Sequence, residues 1–240
     1  MSVPLVEACV ETLEEALAAE HGGAGRVELC ANLAEQGTTP VDDVLAACLA
    51  CVTVPVFPII RPRAGTFVYD ADEIETMLRQ VHRARQLGAH GIVSGALRAD
   101  GAVHREALAA LQRAAAPLPF TFHRAFDVTR DQAEALDTLI TLGVARVLTS
   151  GGATTALEGV PQIARLVQQA ASRLIVIAGG SVRAHNVREI VERTNVQEVH
   201  ARLKSVDAVR SVVDALQREN HFPRGARSGS LGSDLNTPPV

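Results

Sequence analysis

The chain has 240 residues, of which 47% are hydrophobic and 21% are charged, the composition of an ordinary globular protein with one sizeable core. Its 23 Lys and Arg residues face 27 Asp and Glu residues, so the net charge of -4 argues against a nucleic-acid or membrane-surface partner. Aromatic residues make up only 3% and Trp is absent from the sequence, which disfavours platforms that stack bases or sugars.

Cysteine use and the first residues of the sequence together predict a cytoplasmic protein. Four cysteines are too few for a disulfide scaffold in a chain of this length. The first ten residues carry Glu7 and no basic cluster, which is not the pattern of a signal peptide. No apolar run approaches the ~20 residues of a membrane-spanning helix.

Short β-rich runs alternate with Ala-rich segments of helical period along the whole chain. The expected strands are residues 4–8, 26–30, 55–61, 91–95, 120–124, 146–150, 174–179 and 198–202. The expected helices are residues 12–20, 41–51, 71–87, 105–115, 132–142, 159–171, 186–193 and 206–219. Asp70 and Asp131 stand at expected helix N-caps, and Gly88 and Gly143 follow a Leu at expected helix ends.

The character and number of the strands predict the fold. Most strands are apolar runs with little alternation, which is typical of a parallel sheet covered by helices. Eight β/α units within about 220 residues match a single (β/α)8 TIM barrel of α/β class. An open doubly wound sheet is the alternative, but no glycine fingerprint follows the first strand. We expect the barrel over residues 1–220 and a flexible Gly/Ser/Pro-rich tail over residues 221–240.

In such a barrel the C-terminal ends of the strands build the functional site, and the first two strands end alike. Glu7 and Cys9 are two residues apart, as are Glu28 and Cys30, so each pair shares one face of its strand. The residues between them are apolar and suit contact with the helices. We therefore expect these four side chains to point into the mouth of the barrel.

The other strand ends add charged and small residues that suit a ligand. Those expected to bind a substrate are Glu7, Arg61, Arg63, Ser150, Gly179, Gly180 and His200. Arginine forks suit an anion, and backbone N–H groups of a glycine turn can cradle one. If the protein is an enzyme, Glu28 and His123 would act as general acid and base, with Asp127 orienting them.

Structural interpretations of the same residues remain open. One is an ion-pair network that closes the barrel, formed by Glu7, Glu28, Arg61 and Arg63. Another makes His123 a core histidine and leaves His200 only to brace Glu198. A hard-metal site is a further alternative, with ligands from Glu7, Glu28, His123 and His200.

Cys48 and Cys51 form a Cys-x-x-Cys within the second expected helix. Redox motifs of this type lie at a helix N-terminus, where the dipole lowers the thiol pKa, whereas this pair lies near the C-terminus. No second cysteine pair is available for a zinc site. We expect both to be small buried residues.

Several strand ends carry strings found in one known family. They are Arg-Val-Glu-Leu-Cys-Ala at 26–31, Gly-Thr-Thr-Pro at 37–40, Pro-Ile-Ile-Arg-Pro-Arg at 58–63, Thr-Phe-His-Arg-Ala-Phe-Asp at 121–127 and Arg-Val-Leu-Thr-Ser-Gly at 146–151. In this order, and over about residues 6–200, the chain resembles the CutC family of copper homeostasis proteins. After His200 it departs from the family pattern, since Arg202 and Lys204 stand where relatives carry small residues.

The resemblance implies a cytoplasmic (β/α)8 barrel that contributes to copper tolerance by binding Cu(I) at barrel cysteines. Cys30 corresponds to the cysteine of the family's Val-Glu-Leu-Cys string, and Cys9 to a cysteine after the first strand. Soft thiolates suit Cu(I). The alternative is an enzyme that acts by general acid–base chemistry on a small anionic or phosphorylated metabolite at the barrel mouth. A third hypothesis is a scaffold protein whose charged residues at the mouth are only structural. Exposed faces of the Ala-rich helices would allow a homodimer.

Overall fold

The computed structural model of the chain describes residues 3–217, in which eight strands alternate with eight helices. The strands are β1 (Leu5–Val10), β2 (Arg26–Leu29), β3 (Val56–Pro58), β4 (Ile92–Ser94), β5 (Phe120–Phe122), β6 (Arg146–Thr149), β7 (Ile175–Gly179) and β8 (Glu198–Arg202). The helices are α1 (Leu13–His21), α2 (Asp42–Cys51), α3 (Ala71–Leu87), α4 (Arg105–Ala115), α5 (Gln132–Thr141), α6 (Val160–Ala170), α7 (Val187–Thr194) and α8 (Val206–Gln217). The predicted tail at 221–240 lies outside the described residues.

The strands pair in parallel into one curved sheet, in the order β3-β2-β1-β8-β7-β6-β5-β4. Its two outermost strands meet through a parallel bridge between Ile59 and Val93, where the Ile60 N–H donates to the Val93 carbonyl over 2.7 Å. The sheet is therefore a nearly closed barrel with the helices outside it. The predicted (β/α)8 TIM barrel is confirmed, and the doubly wound alternative is wrong.

The helix ends follow the capping residues that the sequence predicts. The Asp70 carboxylate accepts from the Glu73 N–H at the start of α3, and the Glu73 side chain returns the bond, which completes a capping box. Asp131 accepts two backbone N–H groups at the start of α5. Gly88 ends α3 with φ of 97°, a left-handed conformation that glycine adopts without a Cβ clash.

The chain after β5 differs from the expected strand. β5 ends at Phe122, and residues Arg124–Val128 form a short 3-10 helix. The His123 side chain causes this change of direction, because its Nδ1 accepts the Ala125 N–H over 3.2 Å and caps the turn. The His-Arg-Ala-Phe-Asp string is thus a turn that brings His123 and Arg124 to the cavity-lining residues and buries Phe126 in the core.

The apolar residues divide into two layers, as the strand pattern predicts. Val6, Ala8, Val27 and Leu29 belong to the large core between sheet and helices. A smaller cluster inside the barrel consists of Cys9, Cys30, Phe57, Ile59 and Val93. The alternation of β1 and β2 therefore turns both cysteines into the barrel.

A network of buried charges fills the barrel beneath that cluster. The Arg26 guanidinium contacts the carboxylates of Glu7 and Glu198, both at 2.5 Å. Arg146 approaches Glu198 at 3.2 Å, and both arginines lie over the ring of Phe57. An ion-pair network is thus present inside the barrel, and of the four residues that the sequence suggested for such a network it contains Glu7.

The Cys-x-x-Cys of α2 is split between core and surface. Cys48 is fully buried, whereas Cys51, the last residue of the helix, is exposed, so the prediction that both are buried is wrong for Cys51. Cys51 lies at the C-terminal end of α2, beyond the part of the helix that the core covers. Within residues 3–217, no helix combines the length and the apolarity needed to cross a membrane.

Candidate functional site

A cavity of about 290 Å³ opens at the C-terminal ends of the strands. Strands β1, β2 and β8 contribute one wall, which carries Cys9, Glu28, Cys30 and His200. The segments after β3 and β5 contribute the other wall, with Arg61, Phe67 and His123. Arg124, Arg183 and Arg202 also line the cavity. This is the end of a (β/α)8 barrel at which functional sites lie.

The two cysteines of the first wall are in contact. Their Sγ atoms are 3.7 Å apart, and the Cys30 Sγ is 3.6 Å from Glu28 Oε2. One ligand atom from each of these three residues lies within 4.8 Å of the others, and all three are buried. We call Cys9, Glu28 and Cys30 the thiol cluster; its donor set of two sulphurs and one oxygen can bind a soft cation.

His200 connects the thiol cluster to the charged interior. The register of β1 and β8 places it opposite Glu7, and its Nδ1 lies 2.8 Å from Glu7 Oε1. Its Nε2 lies 3.6 Å from Glu28 Oε2. His200 therefore braces the carboxylates of Glu7 and Glu28, whereas the sequence suggested that it braces Glu198.

Proximity displaces the pKa values of this wall in opposite directions. A hydrogen bond from the Cys30 thiol, reinforced by His200, lowers the pKa of Cys9 to about 5 in spite of burial. Burial, with the negative charge of Cys9, raises the pKa of Glu28 well above its ordinary value. Burial opposes the shift at His200, yet the Glu28 carboxyl and the bonds to Cys9 and Glu7 raise its pKa. These directions favour the thiolate form of Cys9 and the protonated form of the His200 imidazole.

Glu7 has a structural environment below the cavity. Burial works against its ionisation, but Arg26 and His200 hold the pKa of Glu7 at about 2. All of its close partners are protein groups, and it does not reach the cavity wall. Glu7 therefore positions His200 and compensates Arg26.

His123 is a neutral hydrogen-bond donor. Its Nδ1 accepts the Ala125 N–H, so its proton is on Nε2. Burial, together with the charge on Arg61, lowers the pKa of His123 to about 3. Its Nε2 is buried and has no partner among residues 3–217. This tautomer leaves no free lone pair for the general base that the sequence suggested.

Arg61 is buried and braces the loops around the cavity. Its guanidinium donates to the carbonyls of Glu35, Gly37 and Gly65 and lies 4.9 Å from the centre of the Phe67 ring. These three bonds leave two of the five guanidinium N–H groups. One of the two is at Nε, a buried atom that has no acceptor in the described part of the chain. Arg61 thus brings an unsatisfied donor to the residues that line the cavity.

Arg63 is not brought to the cavity. Its guanidinium contacts Glu73 at 2.5 Å and donates to the carbonyls of Thr66 and Val68. Glu73 is itself part of the capping box of α3. Arg63 therefore fastens the loop after β3 to the start of α3.

Asp127 and Ser150 also serve a turn rather than the cavity. The Asp127 carboxylate accepts from the Thr149 hydroxyl and from the backbone N–H groups of Ser150 and Gly152. The Ser150 hydroxyl lies between Asp127 and Arg124. Together they fix the segment that follows β6.

The two glycines after β7 have different positions. A Cβ on Gly179 would lie 2.5 Å from Leu148 Cδ1, so close strand packing explains this glycine. Gly180 has φ of 116° and lines the cavity beside Ser181.

Three arginines on the cavity rim were not among the predicted site residues. Arg124 contacts Asp127 at 2.7 Å, and Arg202 lies 3.3 Å from Glu11. Arg183 is exposed, and its guanidinium donates only to the Val182 carbonyl within residues 3–217. Their positions after β5, after β7 and at the end of β8 were the available signal, since strand ends gather at one edge of the barrel.

Known proteins match this chain over most of its length. The model of the CutC family matches residues 4–205. A human (Homo sapiens) copper homeostasis protein cutC homolog is 47% identical over 201 residues, which cover 84% of this chain and 74% of the relative. A family protein CutC of Mesorhizobium japonicum is 43% identical over 235 residues, 98% of this chain and 87% of the relative.

Solved structures agree with the fold and with the family. A CutC structure from Streptococcus agalactiae has a TM-score of 0.79 at 35% identity and covers 82% of this chain and 97% of its own. A phosphoribosylanthranilate isomerase from Pyrococcus furiosus has a TM-score of 0.57 at 16% identity and covers 89% of this chain and 98% of its own, which shows the barrel fold alone. With the matched motifs on the strand ends that form the cavity, the chain belongs to the CutC family.

Proposed function

We propose that the protein serves copper homeostasis in the cytoplasm by binding Cu(I) as cargo at the thiol cluster. The observation that carries this proposal is the 3.7 Å contact between the sulphurs of Cys9 and Cys30 on the cavity wall. Two sulphurs that bind one ion at about 2.3 Å, the length of a zinc–thiolate bond, lie at most about 4.6 Å apart. The relatives are copper homeostasis proteins by name, which supports the same proposal.

The protonation of the cluster suits capture of a soft cation. Cysteine binds metal ions as the thiolate. Because the pKa of Cys9 is lowered, its thiolate is available near neutral pH before the ion binds. Cys30 has a raised pKa, because of its hydrogen bond to Cys9 and its burial, so it would release a proton when the ion binds. Glu28 adds an oxygen beside the two sulphurs.

An anaerobic Cu(I) titration against a chromogenic chelator tests this proposal. We expect one-to-one binding by the parent and its loss in the double variant Cys9→Ser/Cys30→Ser. The exposed Cys51→Ser is the matched control and should bind as the parent does. A double variant that competes for Cu(I) as well as the parent would exclude the thiol cluster.

A second candidate function is an enzyme that acts on a small anionic metabolite by general acid–base chemistry. The observation that favours it is the pair of opposite pKa displacements at Cys9 and Glu28, which lie in one cavity beneath the rim arginines. Neighbouring groups displaced in this way provide a base and an acid. Glu28 would donate the proton and the Cys9 thiolate would accept one, whereas His123 would orient the substrate.

Turnover tests this second candidate. Small phosphorylated and carboxylated metabolites would be incubated with the protein and followed by NMR for any change in their spectra. Glu28→Gln should abolish the conversion of a substrate that the parent converts, while Glu35→Gln, at an exposed carboxylate after β2, should not. Unchanged spectra for every compound would argue against catalysis.

A further inference from the structure

Two side chains that line the cavity opposite the thiol cluster carry N–H groups that the described protein does not satisfy. His123 Nε2 and Arg61 Nε are both buried, and neither has an acceptor within residues 3–217. The two side chains contact the same ring, since His123 and Arg61 each lie 4.9 Å from the centre of Phe67. The charge on Arg61 also affects the titration of His123, as expected for neighbours.

Both groups require an acceptor from outside the described protein. A buried N–H without an acceptor is rare and unfavourable, so such a group at a cavity wall is expected to meet water or a ligand oxygen. His123 is fixed as an Nε2 donor by the Ala125 N–H, and an arginine nitrogen never accepts. A metal cation at this wall would face N–H groups, so the thiol cluster and the donor wall suit different ligands.

The rim above this wall carries three arginines. Arg124 and Arg183 follow β5 and β7, and Arg202 is the last residue of β8. Arg183 is the one of the three that has no carboxylate partner among residues 3–217. Glu28 is the acidic residue on the cavity wall itself. A ligand with oxygen acceptors at one end and negative charge at the other would accept from the N–H groups of His123 and Arg61 and would also pair with the rim arginines.

We propose that the cavity binds a small organic oxyanion, with its oxygens accepting from His123 Nε2 and Arg61 Nε and a charged group facing the rim arginines. This proposal deepens the second candidate function and rests on it for the anionic class of the ligand. Binding does not require turnover. The cavity volume of about 290 Å³ suits a compact metabolite that carries a phosphate or carboxylate group.

Thermal unfolding and ligand-observed NMR with three probes test the proposal: inorganic phosphate, glycerol 3-phosphate and malate. Sodium chloride at equal ionic strength is the reference. We expect saturable stabilisation by at least one organic probe beyond that of the salt. A response to glycerol 3-phosphate identifies a phosphate group, and a response to malate identifies a carboxylate. The proposal would be overturned if neither organic probe stabilised the protein. It would also be overturned if inorganic phosphate stabilised the protein as much as the organic probes do.

Two variants test the deep donor. His123→Asn retains an acceptor near Nδ1 for the Ala125 N–H but removes the Nε2 donor, and we expect it to weaken binding of the organic probe about tenfold or more. His123→Gln places an amide donor near the Nε2 position and should recover part of that loss. Equal affinity of parent and His123→Asn would show that His123 only caps the turn.

A charge-matched pair tests the rim and covers the case in which His123 variants do not fold. Arg183→Met removes a rim charge, whereas Arg188→Met removes a charge from α7 where it pairs with Glu192. We expect Arg183→Met to weaken binding at least fivefold and Arg188→Met to change it less than twofold. Equal effects would show that only the overall charge matters, which would overturn the rim assignment.

The outcomes separate this proposal from the second candidate function. Saturable binding that depends on His123 and Arg183, without turnover of any metabolite tested, supports the oxyanion site but not the enzyme. Turnover that is lost in Glu28→Gln while binding survives supports both.

Discussion

Arg26 is the residue on which the barrel interior depends most. It is almost fully buried, and it is shared between Glu7 and Glu198, which lie on two different strands. Without Arg26 the two carboxylates would remain buried and without their main positive partner. This destabilises the folded state more than replacing the whole network with apolar residues would.

We therefore predict that Arg26→Met lowers the free energy of unfolding by about 3–5 kcal/mol. Urea denaturation followed by circular dichroism measures the change. Arg79→Met is the control, because Arg79 pairs with Glu75 on the surface of α3 and such pairs contribute little. A loss at Arg26 no larger than that at Arg79 would mean that solvent reaches the network.

His123 should make the protein sensitive to mild acid. The folded protein holds its pKa at about 3, against 6.5 for the ordinary side chain, because of burial and Arg61. Between these two pH values the unfolded chain binds a proton at His123 that the folded protein does not bind. The contribution of His123 to the free energy of unfolding is therefore fully present above pH 6.5 and is lost as the pH falls towards 3. From pH 7 to pH 5 the loss amounts to about 2 kcal/mol.

Denaturant titrations at pH 7 and pH 5 on the parent and His123→Asn test this expectation. The variant lacks the imidazole, so its stability should fall less over the same interval, by about 2 kcal/mol. Identical pH dependence in the two proteins would place the acid sensitivity in other groups.

At the residue scale, the sequence predicted side chains on strands better than side chains in loops. The period of two identified the inward faces of Cys9, Glu28 and Cys30, because a strand fixes where each side chain points. Arg63 and Asp127 lie in turns whose path depends on their own hydrogen bonds. No periodicity in the sequence encodes that path, so their proximity to the barrel mouth did not imply access to the cavity.

At the scale of elements, the α5 N-cap offers a sharp test of a local signal. Asp131 accepts the N–H groups of Ala133 and Glu134. We predict that Asp131→Ala lowers the free energy of unfolding by about 1 kcal/mol. Asp137→Ala, on the exposed face of the same helix, should change it much less. Equal losses would indicate an effect of the overall charge rather than of the cap.

The helices were predicted closely because their ends carry such caps, and α3 and α4 coincide with the expected ranges. The strands were less exact. The apolar pattern continues past the last ladder bond of β3, and β5 stops where His123 begins to cap the next turn. Hydrogen bonding across strands decides those ends, and it depends on residues distant in sequence.

At the scale of the whole molecule, barrel closure brings two chemically different walls together. Neighbouring strands β8, β1 and β2 provide the thiol cluster and His200, and the segments after β3 and β5 provide the donors. The sequence predicted a shared mouth, since all parallel strands end at one edge. It could not predict that Arg61 lines the cavity while Arg63 does not. The two arginines are two residues apart, and on a regular strand that spacing would place both on the same face.

Cu(I) bound across β1 and β2 should stabilise the entire barrel, because these strands belong to one closed sheet. A ligand that binds only the folded state at 100 times its Kd adds about 2.7 kcal/mol. The unfolded chain has four cysteines that also bind Cu(I), so we predict a smaller but positive increase. Anaerobic calorimetry with one equivalent of Cu(I) should raise the Tm of the parent and of Cys51→Ser. In Cys9→Ser/Cys30→Ser the unfolded chain keeps two thiols while the folded site is lost, so the Tm should stay constant or fall, and an increase equal to that of the parent would place the stabilising ion elsewhere.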